Sequence, residues 1–205
     1  MRKGFVKIIL PFLLAIPVMF FTGCDKTPTP TEPNKPTGLL NQKQIKAWEE
    51  AAEKGTPEEK YKLGKLYRDG DGMPKDPAAA AKWFLKAAEA GHPKAQYQLG
   101  LLYHDGIGVT QNFQEAIKWY TKAAEQGNGN AQEKLGFMYW TGEGVQTNYV
   151  EAYKWLSLAA AEGEGKAAKG LKKLEGLMTQ QQINEAKKLV NAFVPKKKLK
   201  KSDLQ

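Results

Sequence analysis

The chain has 205 residues, of which 41% are hydrophobic and 26% are charged, and its net charge is +9. This apolar fraction is enough for one folded domain with extensions and excludes global disorder. One cysteine and two histidines exclude an intramolecular disulfide and a zinc finger, so we expect no metal and no cofactor. A net charge of +9 is typical of a nucleic-acid binder. Whether this interpretation holds depends on where the basic residues lie along the chain.

The first 23 residues have the pattern of an export signal. Arg2, Lys3 and Lys7 precede an apolar run over residues 8–21, which is shorter than the roughly 20 residues of a membrane-spanning helix. The run ends in small residues before Cys24, the single cysteine. This arrangement resembles the lipobox of bacterial lipoproteins, which implies cleavage before Cys24 and acylation of its sulfur and new amine. An uncleaved anchor and an ordinary secretory signal are the alternatives.

Asp25 and Lys26 follow the cysteine. An aspartate at this position resembles the inner-membrane retention signal of enterobacterial lipoproteins, and the lysine after it can weaken that signal, so both membranes stay open. The resemblance implies a protein of the bacterial cell envelope that faces the periplasm. Several acyl chains satisfy the rule that stable membrane anchoring needs more than one lipid.

The predicted folded body is flanked by a linker and a tail. Residues 24–40 form a proline- and threonine-rich linker, extended at about 3.1 Å per residue. Residues 195–205 form a basic tail that we expect to be disordered, with contact to anionic headgroups as the alternative. Without the three basic residues of the signal and the charges of the tail, 23 basic and 21 acidic residues remain. The body is nearly neutral, and we expect no nucleic-acid partner.

Residues 41–194 contain a repeat with a period of 36 residues. Leu-Gly pairs start at positions 63, 99 and 135, and the same spacing separates tyrosines at 67, 103 and 139 and tryptophans at 83, 119 and 155. A fixed period of this length indicates stacked supersecondary units that bury their apolar faces against one another. We predict two helices per unit, A and B, with the recurring aromatic residues in the core.

The second unit shows the signals for both helices. Helix A is predicted to run from Pro93 to the turn at Gly106, with a buried stripe at Ala95, Leu99 and Leu102. Helix B is predicted to follow a capping box of Asn112 and Glu115, and the third unit repeats that pair 36 residues later. A half unit precedes the array, and a degenerate fourth helix A is predicted over residues 165–174. Thr179 and Gln182 then predict a capped polar helix that ends near Phe193 and closes the array.

The residues LG-x-x-Y-x-x-G-x-G, A-x-x-W and A-A-x-x-G resemble the Sel1-like repeat, a relative of the tetratricopeptide repeat. The resemblance covers three full units over residues 56–163. It implies an all-α fold, namely a right-handed α-solenoid of 36-residue helix-turn-helix repeats. It also implies a protein-interaction scaffold, although a fold of this kind does not itself fix a function.

The resemblance also implies that helix A lines the concave surface, where the side opposite the buried stripe would contact a partner protein. Three positions per unit lie on that side: Tyr61, Lys65 and Arg68, then Tyr97, Leu101 and His104, then Glu133, Phe137 and Trp140. Tyrosine, tryptophan and arginine dominate interface energetics. We predict that Leu101, Phe137 and Trp140 form an exposed apolar patch. The alternative is that curvature or the fourth helix A buries Phe137 and Trp140.

No catalytic residues are predicted. His104 lies beside Asp105 but has no serine or cysteine near it in sequence, and Ser157 is placed within a helix B. The sequence therefore favours a non-catalytic, membrane-anchored scaffold that faces the periplasm. One version is an immunity protein that neutralises a secreted lipase, because Sel1-like lipoproteins are known to act in this way. A general envelope scaffold is the alternative, and a hydrolase is the least favoured class.

Overall fold

The computed structural model describes residues 39–196, and this part of the chain consists of nine α-helices without a strand. The helices are α1 (Gln42–Lys54), α2 (Pro57–Asp69), α3 (Pro77–Glu89), α4 (Pro93–Asp105), α5 (Phe113–Glu125), α6 (Gly129–Thr141), α7 (Tyr149–Ala161), α8 (Gly165–Glu175) and α9 (Gln180–Ala192). The export signal and the predictions at Cys24, Asp25 and Lys26 lie outside the described residues.

The nine helices form a stack of two-helix units, which confirms the predicted all-α solenoid. Helices α2, α4, α6 and α8 are the A helices, and α3, α5 and α7 are the B helices. In the three full units the A helix packs against the B helix of its own unit, and each of these B helices packs against the next A helix. The closing helix α9 packs against α7, so it covers the end of the array.

The repeated Leu-Gly pair allows helix B to approach helix A closely. A Cβ atom on Gly64 would lie 2.7 Å from the Phe84 ring, and one on Gly100 would lie 2.6 Å from the Tyr120 ring. Real Cβ atoms do not come so near to a ring, so only glycine fits at these positions. The leucine before each glycine is buried in the core. In each Leu-Gly pair the glycine therefore allows the close contact between helices A and B, and the leucine fills the core beside it.

The recurring tryptophans are core residues, as predicted. Trp83, Trp119 and Trp155 are each 4% exposed. A lysine ammonium lies over each ring, for example that of Lys122 at 4.2 Å from the centroid of Trp119. Of the recurring tyrosines, Tyr67 is buried, whereas those at positions 103 and 139 are half-buried at the edge of the core.

The helix ends agree with the sequence signals except at the capping boxes predicted before α5 and α7. Gly106 adopts a left-handed conformation with φ 68° and ends α4, as predicted. Asn112 caps α5 by accepting a hydrogen bond from the Glu115 amide at 3.0 Å. The reciprocal bond of the capping box is absent from α5, because the Glu115 carboxylate pairs with Lys118 at 2.8 Å instead. Asn148 caps α7 in the same one-sided way. The box before α9 is complete.

At two junctions, α3–α4 and α5–α6, a buried glutamine joins the B helix to the next A helix, a feature that the sequence analysis missed. The Gln96 side-chain amide donates to the Ala88 carbonyl at 3.1 Å, and 36 residues later Gln132 donates to Ala124 at 3.0 Å. These two carbonyls also accept the backbone amides of Gly91 and Gly127, so each glutamine adds a second hydrogen bond that ties the next A helix to this helix end. The repeat of two glutamines at one spacing was the available signal.

Both ends of the described chain are attached to the repeats. The Leu40 amide donates to the Gly72 carbonyl at 2.6 Å, so the predicted linker ends against the first unit. At the other end, the Lys196 amide donates to the Glu125 carbonyl at 2.7 Å, and the ring of Phe193 packs edge-on against Trp155. The first two residues of the predicted disordered tail thus contact the second unit, and residues 197–205 lie outside the described range.

Candidate functional site

The nine predicted partner-binding residues lie on the three A helices α2, α4 and α6. Lys65 is exposed, and the other eight are half-buried. They belong to neighbouring units of one stack, so their side chains form one row across the repeats. The contacts along this row differ from one junction to the next.

At the first junction, Tyr61 stacks on His92 with ring centroids 4.6 Å apart. His92 is buried and caps α4 by accepting the Ala95 amide on Nδ1 at 3.1 Å. Its Nε2 atom therefore carries the proton and donates to Glu58 at 2.8 Å. This hydrogen bond lowers the pKa of Glu58. His92 is thus a structural residue that joins α2 to α4.

Arg68 makes a second link between α2 and α4. Its guanidinium donates to the Gln98 side chain at 2.7 Å and pairs with Asp69, also at 2.7 Å. The ion pair raises the pKa of Arg68 and lowers the pKa of Asp69. Because the fork of Arg68 is held on both sides, it presents a fixed cationic group on the row. Gln98 was not predicted, since nothing in the repeat pattern distinguishes it.

His104 links the second unit to the third. Its Nδ1 atom lies 2.5 Å from Asp105, and its Nε2 atom lies 3.2 Å from Glu143 in the turn after α6. The ring also packs edge-on against Phe113. Asp105, Glu143 and the Phe113 ring thus hold the His104 side chain in place between the second and third units.

The centre of the row is formed by Tyr97 and Leu101. Both pack partly against the core of the second unit, where Tyr97 lies 6.0 Å from the ring of Tyr120. Burial raises the pKa of Tyr97, so its hydroxyl stays neutral at physiological pH. The centre of the row therefore consists of apolar side-chain surface packed on the core, with the Tyr97 hydroxyl as its polar group.

The third-unit residues are covered more than the exposed-patch prediction expected. Phe137 and Trp140 stack on each other at 5.9 Å and pack against the third core cluster. The fourth helix A lies over them at Gly170, where a Cβ atom would come within 3.0 Å of Phe137. Phe137 and Trp140 are therefore half-buried, because the small Gly170 lets α8 approach them closely.

Glu133 also contacts α8 and not only solvent. Its carboxylate accepts the Ala167 amide at 3.1 Å, near the start of that helix. The N-cap residue of α8, Glu164, makes no side-chain bond of its own. Glu133 thus caps a helix of the next unit, where a negative charge is also favoured by the helix dipole.

Between residues 39 and 196 there is no group of three histidines, cysteines or carboxylates that could hold a metal. The hydroxyl of Ser157 is buried in α7. None of the helices in that range is both long and apolar enough to cross a membrane. What the row offers is a set of side chains suited to contact with another molecule.

The family model for the Sel1 repeat matches residues 60–92, 93–128 and 129–164, which together make up just over half of the chain. The chain belongs to the Sel1 repeat family. Proteins with Sel1 repeats act as protein–protein interaction scaffolds, and the repeat is typically non-catalytic. Among curated proteins no sequence matches the chain.

Solved structures of Sel1 repeat proteins share the fold. A Sel1 repeat protein from Oxalobacter formigenes is 42% identical with a TM-score of 0.57, and the match covers 60% of this chain and 48% of that one. The protective antigen c5321 of uropathogenic Escherichia coli, which displays an SLR fold, is 32% identical with a TM-score of 0.66, over 75% of this chain and 33% of that one. The chain thus spans about half and a third of these relatives.

A third structure is the immunity protein Pa5087 from Pseudomonas aeruginosa. It is 23% identical with a TM-score of 0.36, over 78% of this chain and 75% of that one. A likeness at this level carries no argument about function.

Proposed function

We propose that this Sel1 repeat protein is a lipid-anchored, periplasm-facing scaffold that binds a partner protein through the row of A-helix residues. One observation carries the choice of surface: core positions repeat from unit to unit, whereas the row positions change. Leucine recurs at the core positions 63, 99 and 135, whereas Lys65, Leu101 and Phe137 occupy one equivalent row position. Because the core residues repeat and the row residues differ, each unit presents a different side chain to a partner. Recognition of one specific partner requires such differences.

The contacts between units support the same surface. Arg68 and His104 are held across neighbouring units by Gln98 and Glu143. Side chains fixed before binding lose less conformational entropy when a partner binds. On the B helices, the tryptophan rings are already covered by contacts within the chain. Lysines lie over Trp119 and Trp155, and Phe193 packs against Trp155.

Site-specific photo-crosslinking in cells tests the surface. A photoreactive amino acid in place of Lys65 or Leu101 should give one discrete crosslinked species, because these side chains lie on the row. The matched control is Lys82, an exposed lysine of the B helix α3. Equal crosslinking from position 82, or none from positions 65 and 101, would show that the partner binds elsewhere.

The anchoring is tested separately at Cys24. Replacement Cys24→Ser should remove the acylation site, and we expect loss of palmitate labelling together with loss of signal cleavage before residue 24. Labelling that persists in the variant would overturn the lipid anchor and would leave the row proposal unaffected.

The identity of the crosslinked partner decides between two versions of the scaffold. A secreted lipase would support the narrower function of an immunity protein, in which a membrane-tethered chain covers the enzyme near its substrate. A cell-wall or secretion component would support a general envelope scaffold. In either version the chain acts by binding and not by catalysis.

A further inference from the structure

The positive charge of the chain is concentrated at the C-terminal end of the array. Residues 165–205 hold 11 lysines and three acidic residues, whereas residues 39–164 hold 15 basic and 17 acidic residues. Six of these lysines lie on α8 and α9: Lys166, Lys169, Lys172, Lys173, Lys187 and Lys188. Only two carboxylates, those of Glu175 and Glu185, accompany them on the two helices. We refer to these six lysines as the cationic end.

All six lysines of the cationic end are exposed. The four on α8 point away from the face that Ala167, Gly170 and Leu174 bury against the array. Within residues 39–196 none of the six forms an ion pair. Some lysines of the repeats do have partners, since Lys86 and Lys154 cover tryptophan rings and pair with glutamates. The charge of the cationic end is therefore not used in the fold.

We propose that the cationic end binds the anionic phospholipid headgroups of the membrane to which the chain is tethered. Lysines near an anionic bilayer gain attraction that adds up over neighbouring charges. Leu177, in the loop that follows α8, is 57% exposed and lies close in sequence to Lys172 and Lys173. An exposed leucine beside lysines suits the boundary between headgroups and acyl chains.

The membrane is favoured over an acidic protein or nucleic acid because of the position of the tether. This argument rests on the anchoring of the proposed function. The linker joins the array at α1, and the cationic end lies at the opposite end of the stack. Two contacts with one bilayer would lay the solenoid along its surface. The row of A-helix residues would then be held at a fixed orientation relative to the membrane.

Lysine footprinting of the full chain tests this contact residue by residue. The chain is reconstituted into vesicles of phosphatidylcholine alone or of phosphatidylcholine with phosphatidylglycerol, and lysine acylation is followed by mass spectrometry. We expect acylation of the six lysines of the cationic end to be roughly fivefold slower on the anionic vesicles, and this protection to disappear at high salt. The exposed Lys43, Lys46 and Lys82 of the N-terminal half should react equally on both vesicles.

Variants separate this contact from the anchor. Replacement of the four α8 lysines by glutamine should remove the protection of Lys187 and Lys188 and leave the chain on the vesicles. Equal acylation of α8 on both vesicle types would overturn the proposal, as would protection by polyglutamate or an oligonucleotide without protection by anionic lipid. A chain that leaves the vesicles altogether would instead contradict the lipid anchor.

Discussion

Single buried polar atoms set the stability of individual units. Tyr120 is fully buried, and its hydroxyl has no hydrogen-bond partner in the described part of the chain. The equivalent residue in the first unit is Phe84, which packs against Gly64 in the same way. A buried hydroxyl without a partner costs about 1–3 kcal/mol. The tyrosine therefore contributes packing but not a hydrogen bond.

We expect Tyr120→Phe to raise the free energy of unfolding by about 1 kcal/mol, because it removes an unpaired hydroxyl and keeps the ring. Denaturant unfolding followed by circular dichroism measures the change. Tyr153→Phe is the control, since the Tyr153 hydroxyl donates to Glu175 at 3.1 Å and its removal should lower stability. A loss of stability in Tyr120→Phe would contradict the assignment of the free hydroxyl.

A second prediction concerns the two buried glutamines. The Gln96 side-chain oxygen accepts a bond from Gln126 at 2.7 Å, but the equivalent oxygen of Gln132 is buried and has no partner among residues 39–196. The residue equivalent to Gln126 in the third unit is Glu162, whose side chain has no N–H group to donate to this oxygen. We expect Glu162→Gln to stabilise the protein by about 1 kcal/mol.

The reverse exchange is the matched control for this prediction. Gln126→Glu places a carboxylate beside the Gln96 oxygen and should lower the melting temperature, whereas Glu162→Gln should raise it. Two changes of the same sign would show that the side chain at this position does not act through the buried glutamine.

At the scale of the elements, the contact between helices A and B depends on the glycine of each Leu-Gly pair. Glycine lowers helix propensity by about 1 kcal/mol, so its use inside an A helix needs a packing reason. Gly64, Gly100 and Gly136 supply that reason, since a Cβ atom on each would lie within 2.7 Å of a side chain of the facing B helix. The repeat keeps glycine because the helices touch there.

We expect Gly100→Ala to destabilise the protein by about 1–3 kcal/mol, since the new methyl group overlaps the Tyr120 ring. Gly165→Ala is the control, because no atom lies within 4 Å of a Cβ atom at that position of α8. Thermal unfolding should show a lower melting temperature for the first variant and an unchanged or higher one for the second. Equal effects would mean that helix propensity and not packing dominates.

At the scale of the whole molecule, stability should depend on pH at both ends of the range. Burial raises the pKa of six described tyrosines above 10.0: Tyr61, Tyr67, Tyr97, Tyr120, Tyr139 and Tyr153. The folded state thus holds these protons more tightly than the unfolded state. The pKa values of Glu58 and Asp69 are lowered by His92 and Arg68, so here the unfolded state binds protons more tightly.

We therefore expect the free energy of unfolding to fall as the pH rises above 10, and to fall as the pH drops below about 4.5. Urea unfolding across this range measures the profile. In the Tyr120→Phe variant the alkaline loss should become smaller, because one raised pKa is removed. If the variant loses as much unfolding free energy above pH 10 as the unmodified protein, the alkaline loss is due to the other tyrosines.

The period, the helices and most of the core could be predicted from the amino-acid sequence alone. Repeated Trp, Leu-Gly and proline or glycine signals are local and recur, so Trp119 could be assigned to the core and Gly106 to a helix end without coordinates. The lipid anchor at Cys24 also comes from sequence alone and stays a prediction.

The three-dimensional structure was needed to find which residues cover the row of A-helix residues and which side chains pair along it. Gly170 brings α8 over Phe137, and Lys196 folds back to Glu125, which lies 71 residues earlier. Contacts between units join positions that follow no shared period, such as His104 with Glu143. A repeat pattern specifies each unit and its neighbour, but it does not specify which side chains fill the space between them.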